Sequence, residues 1–226
     1  MIIKHLKEHF FRELTKEKNL DRIQEGTLPY TRLMTYYKCA IMEIETKFKV
    51  LNEQFSLRYD ENPIEDIKSR LKSPDSIMKK LKKKELPFTT EAIEENIFDI
   101  AGIRIICSFE QDIYKMAKLL LQQDDVTLVE QKDYIKNPKE SGYRSLHLIV
   151  EIPIFLEDEK RTMKVEVQLR TIAMDFWASL EHKMRYKKDL KPELLEELAK
   201  ELTECSEKCA DLDHRMEAIK NKIERK

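Results

Sequence analysis

Glycine is scarce in this sequence, whose 226 residues contain only three, at positions 26, 102 and 142. Because glycine tolerates backbone conformations that other residues avoid, we expect each of the three to stand where the backbone requires it. Gly102 and Gly142 both fall in segments that carry the candidate chemistry described below.

Long apolar runs and paired cysteines are also missing. No stretch approaches the roughly 18 uncharged residues of a membrane span, and charged residues interrupt the start before any run long enough for a signal peptide. The four cysteines form no CxxC pair and no disulfide framework. We therefore expect a cytoplasmic protein that does not enter a membrane.

Charge is abundant but balanced. Charged residues make up 38% of the chain and hydrophobic residues 41%, while the net charge is −1. The overall field does not attract nucleic acid, so only a local cluster of charges can do so. The composition and length predict one domain with long solvated helices around a modest sheet.

The first quarter of the chain has helical periodicity. Apolar residues at steps of three or four predict one helix over residues 1–25 and another over 30–57. Gly26 to Pro29 lie between them, and we expect these residues to break the helix.

The centre of the chain changes period. Alternation of apolar and polar residues predicts strands over 103–107, 126–131, 145–152 and 162–170. Helical patterns over 112–123 and 172–187 separate and follow these strands. Thr89 and Thr90 predict the N-terminal cap of a short helix that runs to Asn96. The pattern predicts an α+β fold, a mixed sheet flanked by helices.

The tail has a heptad pattern over about four repeats, which predicts a long C-terminal helix with an apolar seam. A partner helix from this chain or another subunit would cover the seam, and we expect a homo-oligomer. The seam residues are Leu195, Leu198, Leu202, Cys205, Cys209, Leu212, Met216, Ile219 and Ile223.

Two pairs of residues have a spacing that a metal site also uses. Cys205 and Cys209 lie one helical turn apart and would suit zinc, but both also fit the seam as small core residues. His5 and His9 have the same spacing. We favour the structural interpretation for the cysteines and leave the metal hypothesis open for both pairs.

The last predicted strand presents a polar face. Glu166, Gln168 and Arg170 alternate with apolar residues, as Lys164 also does. This face is either the solvated outside of an antiparallel sheet or a polar site.

The preceding strand and its loop add further candidates. His147 shares a strand face with Ser145, and Gly142 precedes Tyr143, whose ring can stack on a base. Lys132 and Lys139 lie nearby and can meet phosphates. An ordinary basic loop with a structural histidine is the alternative.

An acid and an arginine flank the start of the 103–107 strand. Asp99 stands between apolar residues, where a buried carboxylate needs a partner, so it is a helix cap or a metal ligand. Arg104 points away from Ile103 and Ile105, and its guanidinium can stack on adenine.

Residues 67–84 form a basic segment with one acid, Asp75, among its cations. A solvated helix face explains it, but a cluster of one sign also favours an anion such as a triphosphate or RNA. The cations are Lys68, Arg70, Lys72, Lys79, Lys80, Lys82, Lys83 and Lys84.

Taken together, these segments resemble the synthetase domain of the RelA/SpoT homologue family, and the short length resembles its small alarmone synthetases. The resemblance covers about residues 30–190. It is carried by five motifs in order: Arg70–Lys72 with Ser76, Asp99–Arg104, Lys139–His147, Val165–Thr171 and Phe176–His182.

The resemblance implies a nucleotidyltransferase-like sheet and a reaction in which ATP and GDP or GTP give AMP and guanosine tetra- or pentaphosphate. It implies that Asp99 and Glu166 are catalytic and bind Mg²⁺. The implied ATP-binding residues are Arg70, Lys72, Ser76, Lys80, Lys83 and Arg104. The implied residues for GDP or GTP are Lys132, Lys139, Tyr143, His147 and Gln168.

The sequence departs from the family pattern at two positions. Lys132 stands where many relatives carry Arg, and Asp175 where some carry Asn. The chain also contains no His-Asp dipeptide, so we do not expect the hydrolase activity of longer family members.

The resemblance also shapes the expected organisation. We expect N-terminal helices over 1–57, a synthetase core over 58–190 and an oligomerisation helix over 191–226, with a tetramer as the assembly. The alternative function is an RNA-binding regulatory module that uses residues 68–84, and single-stranded RNA is a further expected partner. A nucleotidyltransferase that acts on RNA ends is a third hypothesis, which a guanine site at Gly142 and Tyr143 disfavours.

Overall fold

The computed structural model describes residues 17–59, 62–185 and 192–224. Its helices and strands, in chain order, are α1 (Glu17–Tyr59), β1 (Ile64–Leu71), α2 (Pro74–Lys83), α3 (Thr90–Asn96), β2 (Ala101–Cys107), α4 (Glu110–Leu121), β3 (Thr127–Asp133), β4 (Leu146–Phe155), β5 (Lys160–Thr171), α5 (Ile172–Arg185) and α6 (Pro192–Glu224). The predicted α+β class is confirmed. No helix in the described ranges is long and apolar enough to cross a bilayer.

The five strands form one mixed sheet in the order β1-β2-β5-β4-β3. The central pair, β2 and β5, is parallel, and the other three pairs are antiparallel. The parallel pair requires the chain to cross over between them, which α4, β3 and β4 accomplish.

One face of the sheet carries the core. Val165, Val167 and Leu169 of β5 are fully buried, and they belong to one apolar cluster with residues of α1 and α4 such as Ile44 and Met116. Strand alternation therefore places the polar residues of β5 on the opposite face.

The expected break at Gly26 to Pro29 is wrong, because α1 runs without interruption through Pro29. A proline inside a helix removes one backbone hydrogen bond. Contacts of α1 with the sheet, through residues such as Tyr37 and Phe48, favour one long helix over two short ones. Gly26 therefore lies inside a helix, and the expectation that the backbone needs a glycine at this position for a turn is wrong.

Strand β1 falls in the basic segment, for which the sequence predicted no strand. It lies at an edge of the sheet, and most of its residues are exposed. An edge strand that is exposed to solvent on both faces does not need alternating apolar and polar residues. The alternation that would predict a strand is therefore missing from the sequence.

Helix α6 packs on the core through a stripe that differs from the predicted seam. Side chains of Ser206, Asp213 and Glu217 bond to Gly142, Thr171 and Gln111 respectively. These positions lie one residue after the seam positions, which corresponds to a rotation of about 100° around the helix.

The C-terminal half of the predicted seam is left exposed in the single chain. Leu212, Met216, Ile219 and Ile223 are 54%, 50%, 50% and 68% exposed. The helix thus has two stripes: one contacts its own chain, and the apolar seam faces outward.

The metal hypothesis for Cys205 and Cys209 gains no support from the structure. In the described part of the chain no group of three or more His, Cys, Asp or Glu residues is arranged to hold a metal. Cys205 and Cys209 are free thiols, and His5 and His9 lie outside the described residues.

Candidate active site

A row of polar residues crosses all five strands on the face opposite the core. The strand register aligns Lys68 of β1 with Arg104 of β2, Arg104 with Gln168 of β5, Gln168 with His147 of β4, and His147 with Lys132 of β3. We call these five residues the polar row. Since side chains at paired positions share a face, the row forms one continuous polar surface.

The neighbouring register row contains the second half of the site. Arg70, Gly102 and Glu166 are paired across β1, β2 and β5. A cleft lies between β1 and β2, lined by Lys68, Arg70, Gly102, Arg104 and Gln168. The two arginines that the family resemblance assigns to adenine therefore both line one cleft.

Asp99 lies just ahead of β2 and between two lysines. Lys72 Nζ is 2.8 Å from its Oδ2, and Lys80 Nζ is 2.9 Å from its Oδ1. Burial acts to raise the pKa of Asp99, but the hydrogen bond from Lys72 and the charges of Lys72 and Lys80 outweigh burial and hold that pKa below its ordinary value. Asp99 is therefore ionised at neutral pH.

Glu166 is the second carboxylate of the site and, like Asp99, is partly buried. Gln168 Nε2 donates a 2.8 Å hydrogen bond to Oε2, and His147 Nδ1 lies 3.5 Å from Oε1. Burial raises the pKa of Glu166, but the interactions with His147 and Gln168 lower it by more. The pKa of Glu166 is therefore below its ordinary value. The charge of Asp99 acts in the opposite direction, as expected for two nearby acids.

A chain of hydrogen bonds leads from Arg170 to His147, whose ring contacts Glu166. Arg170 donates to the Tyr143 hydroxyl, which lies 2.8 Å from His147 Nε2. Because the hydroxyl oxygen already accepts from Arg170, its hydrogen is available to Nε2. For a neutral imidazole, this order places the ring hydrogen on Nδ1, the atom that faces Glu166.

Arg170 is itself buried and held by Asp175. Asp175 Oδ1 accepts from Arg170 at 3.2 Å and from Arg104 at 3.0 Å, while Oδ2 pairs with Lys68 at 3.2 Å. One buried carboxylate thus fixes three cations on the site face. Gln168 Oε1 also accepts from Arg170 at 3.1 Å, so the arginine contacts two predicted acceptor-site residues.

The loop before β4 brings an aromatic cluster to the same face. Tyr143 packs edge-on against Tyr134 and His147, with ring centres 6.1 Å and 5.7 Å away. Lys139 Nζ lies 4.5 Å from the centre of the Tyr134 ring and 4.9 Å from that of Tyr143. Aromatic rings beside a cation suit a nucleotide, which has a base and phosphates.

The family of the chain follows from a comparison with known families. The family described as the region found in RelA and SpoT proteins matches residues 69–191. This chain belongs to the RelA/SpoT family.

Members of the RelA/SpoT family in Bacillus subtilis (strain 168) are similar over most of their length. The chain is 47% identical over 188 residues to the GTP pyrophosphokinase YwaC, covering 83% of this chain and 89% of that protein. It is 35% identical over 195 residues to the GTP pyrophosphokinase YjbM, covering 86% and 90%.

Solved RelA/SpoT-family structures have the same fold. The small alarmone synthetase 1 from Bacillus subtilis bound to its product pppGpp superposes with a TM-score of 0.78 at 36% identity, covering 86% of this chain and 98% of that one. The small alarmone synthetase 2 from the same organism gives 0.76 at 44% identity, with 85% and 98% covered.

Most of the residues that the RelA/SpoT resemblance singled out lie on the same face. Asp99, Glu166, Arg70, Arg104 and Lys72 surround the β1–β2 cleft or adjoin it, as Lys80 does through its pair with Asp99. Lys132, His147 and Gln168 belong to the polar row, and Tyr143 and Lys139 lie beside it.

Two predicted ATP residues have other surroundings. Ser76 is engaged at the start of α2, where its hydroxyl accepts at 2.8 Å from Ser73, the N-cap. Lys83 is exposed near the end of α2. Their roles toward ATP stay predictions.

Sequence reasoning assigned no role to Arg170 or Tyr134, and it treated Asp175 only as a departure from the family pattern. Arg170 has the same strand parity as Glu166 and Gln168, which was a usable signal. No sequence signal places Asp175, on α5, against Arg104 and Lys68, because these residues are 71 and 107 positions apart.

The basic segment divides into two groups. Lys68, Lys72 and Lys80 pair with acids of the site, whereas Lys79 and Lys82 are exposed on α2. The hypothesis of an RNA-binding module gains no support from the relatives above, and a single-stranded RNA partner stays a prediction.

Proposed function

We propose that this chain transfers the β,γ-pyrophosphate of ATP to the 3′-hydroxyl of GDP or GTP and so makes ppGpp or pppGpp. The observation that carries this proposal is the meeting of two ionised carboxylates, Asp99 and Glu166, with the polar row on the one sheet face that the core does not occupy. The likeness to GTP pyrophosphokinases over most of the chain supports it.

The proposed reaction is a displacement at the β-phosphorus of ATP. The 3′-oxygen of the acceptor attacks the β-phosphorus of ATP and forms a new P–O bond. The bond from the β-phosphorus to the oxygen that bridges it to the α-phosphate breaks, and AMP leaves with the electron pair. The proton of the 3′-hydroxyl passes to a base, for which Glu166 is the candidate.

Glu166 is ionised, which a base must be, although its low pKa makes it a weak one. A weak base is sufficient when the transition state is loose, because the attacking oxygen gains little positive charge before the leaving group departs. His147 and Gln168 orient the carboxylate from two sides.

The site residues fit a magnesium ion. Asp99 Oδ1 is buried and accepts no well-aligned hydrogen bond, although Lys80 lies close to it. Oxygen from carboxylates and substrate phosphates is what Mg²⁺ prefers, and two protein carboxylates are typical of its nucleotide sites. Asp99 and Glu166 would bind the ion, which would neutralise charge on the transferred phosphoryl oxygens.

The two substrates are assigned to two ends of the site. Arg70 and Arg104 line the cleft beside Asp99 and would sandwich adenine, while Lys72, Ser76, Lys80 and Lys83 would contact the ATP phosphates. Tyr143 would stack on guanine at the other end. Lys132, Lys139, His147 and Gln168 would bind the rest of the acceptor.

We also propose that the protein acts in the cytoplasm as a homotetramer. Free cysteines agree with a reducing compartment. The exposed seam of α6 offers an apolar surface that another subunit would bury.

A product analysis tests the reaction. Purified protein, Mg²⁺ and ATP labelled at the β-phosphorus are mixed with GDP or GTP, and the nucleotides are separated by anion-exchange chromatography. We expect label in a new, more anionic guanine nucleotide and an equal amount of AMP.

An acceptor without a 3′-hydroxyl is the matched control and should give no product. ADP in place of AMP would indicate transfer of a single phosphoryl group. Product from the 3′-deoxy acceptor would show that another hydroxyl is attacked. Either result would contradict the proposal.

A further inference from the structure

The loop that carries Tyr143 makes a tight turn at Gly142. The amide of Gly142 donates to Lys139 O at 2.8 Å, and the amide of Lys139 donates to Tyr143 O at 3.2 Å. Gly142 has φ +84°, a conformation that residues with a side chain rarely adopt. The turn therefore sets the direction in which Tyr143 leaves the loop.

Helix α6 lies directly against this turn. Ser206, which is buried, donates a hydrogen bond from its hydroxyl to the carbonyl of Gly142. A methyl group added at Gly142 would lie 2.8 Å from Ser206 Cβ and 3.4 Å from Thr203 Cα. The contact leaves no room for a side chain at Gly142.

Bonds on both sides of Ser206 fix the helix beside the sheet. Trp177 Nε1 donates to the carbonyl of Leu202 at 2.8 Å, and Thr171 Oγ1 donates to Asp213 at 2.6 Å. Thr171 is the last residue of β5, the strand that carries Glu166 and Gln168. Helix α6, which contacts Gly142, is thus anchored to the strand that carries Glu166.

We infer that Ser206 is a positioning residue for the acceptor nucleotide, acting by fixing the Gly142 turn and with it the Tyr143 ring. This inference rests on the proposed function, in which GDP or GTP is the acceptor. A loop that is ordered before binding loses less conformational entropy when the nucleotide binds. Ser206 itself does not reach the polar row, so its effect passes through the loop.

Steady-state kinetics test the inference with the full chain. In Ser206→Ala the Gly142 carbonyl loses its partner in a buried place. We expect the KM for GDP or GTP to rise about three- to tenfold, as the loss of one hydrogen bond predicts, while kcat and the KM for ATP stay within about twofold.

Thr203→Ala is the matched control. It removes a hydroxyl from the same helix about one turn earlier, and that hydroxyl donates to the carbonyl of Ala199 in its own helix at 3.0 Å. Its acceptor KM should equal that of the wild type. Equal effects of the two variants, or equal rises in the KM of both substrates in Ser206→Ala, would overturn the inference.

Hydrogen exchange separates a failure of this inference from a failure of the proposed function. In the protein without nucleotides, amides of residues 139–145 should exchange faster in Ser206→Ala than in wild type or Thr203→Ala, with melting temperatures compared alongside. Unchanged exchange there would contradict the role of Ser206. If exchange is faster in Ser206→Ala but the wild-type protein makes no product, the result contradicts the proposed function and leaves the role of Ser206 in the loop intact.

Discussion

Arg170 donates a hydrogen bond to the hydroxyl of Tyr143 and places its guanidinium carbon 5.0 Å from the centre of the same ring. A single buried cation therefore fixes both the tip and the face of the residue proposed to stack on guanine. The ion pair with Asp175 keeps that cation in place. The acceptor end of the site thus depends on a residue that need not touch the nucleotide.

Replacing Arg170 with methionine should weaken acceptor binding. The variant removes the hydrogen bonds to Tyr143 and Gln168, and bonds that involve a charged group contribute about 1.5–3 kcal/mol each. We expect the KM for GDP or GTP to rise about tenfold or more, with a smaller change for ATP.

Arg161→Met is the matched control for this variant. Arg161 lies on the same strand, far from the site, and pairs with Glu94 at 2.6 Å. Kinetics with each substrate varied in turn distinguish the two variants. Similar KM values for both would show that Arg170 does not position the acceptor site.

Asp99→Asn and Glu166→Gln should each abolish most synthesis without unfolding the protein. Both changes keep the shape of the side chain and remove the charge proposed to bind Mg²⁺. Loss of one such electrostatic contribution typically costs about 100- to 1000-fold in rate. Product formation and the far-ultraviolet circular dichroism spectrum are measured together.

Glu45→Gln serves as the control for the carboxylates, because Glu45 lies on α1, which packs on the core side of the sheet, and pairs with Lys49 at 2.7 Å. Synthesis at the wild-type rate by Asp99→Asn or Glu166→Gln would count against the assigned site.

Asp213 should make stability depend on pH. Burial raises the pKa of Asp213 above its ordinary value of 3.8, against the opposing hydrogen bond from Thr171, and the charges of Glu110 and Glu217 raise it further. The folded state therefore binds this proton more tightly than the unfolded state. The resulting penalty is complete above the folded-state pKa and vanishes below pH 3.8.

Asp213→Asn removes this penalty and still offers an oxygen to Thr171. Its melting temperature should exceed that of the wild type at pH 7, and the difference should shrink as the pH falls toward 4. Asp211→Asn, at an exposed position of the same helix, should show no such pH-dependent difference. A melting-temperature difference between Asp213→Asn and the wild type that stays constant with pH would show that titration of Asp213 is not its cause.

Charges placed on the exposed seam of α6 should break the proposed homo-oligomer. The double variant Met216→Lys with Ile219→Lys alters two half-exposed seam residues and none of those that bond to the core. We expect a lower mass in light scattering and an unchanged fold of the chain, because a buried unpaired charge at an interface is costly.

Glu207→Lys, an exposed residue outside the seam, is the control and should keep the wild-type mass. These substitutions are sharper than deletion of residues 191–226, since the core contacts of Trp177 and Thr171 with α6 would be lost in the truncated chain. An unchanged mass for the seam variant would refute the role of the seam.

The sequence by itself determined the elements with strong local periodicity and the residue types of the site. Alternation along β5 was sufficient to place Glu166 and Gln168 on one face, and Thr89 was identifiable as the cap of α3. These signals are local, because strand parity and helix capping depend on residues within a few positions. The family motifs added the expected roles.

The tertiary structure decided everything that depends on distant partners. The register that aligns Lys68 with Arg104 and His147 with Lys132, the three cations on Asp175, and the contact of Ser206 with Gly142 all join residues far apart in the chain. The same holds for β1, an exposed edge strand without alternation, and for α1, where packing outweighs the local signals of Gly26 and Pro29. Local sequence carries propensity, whereas register and burial are set by the free energy of the whole packed chain.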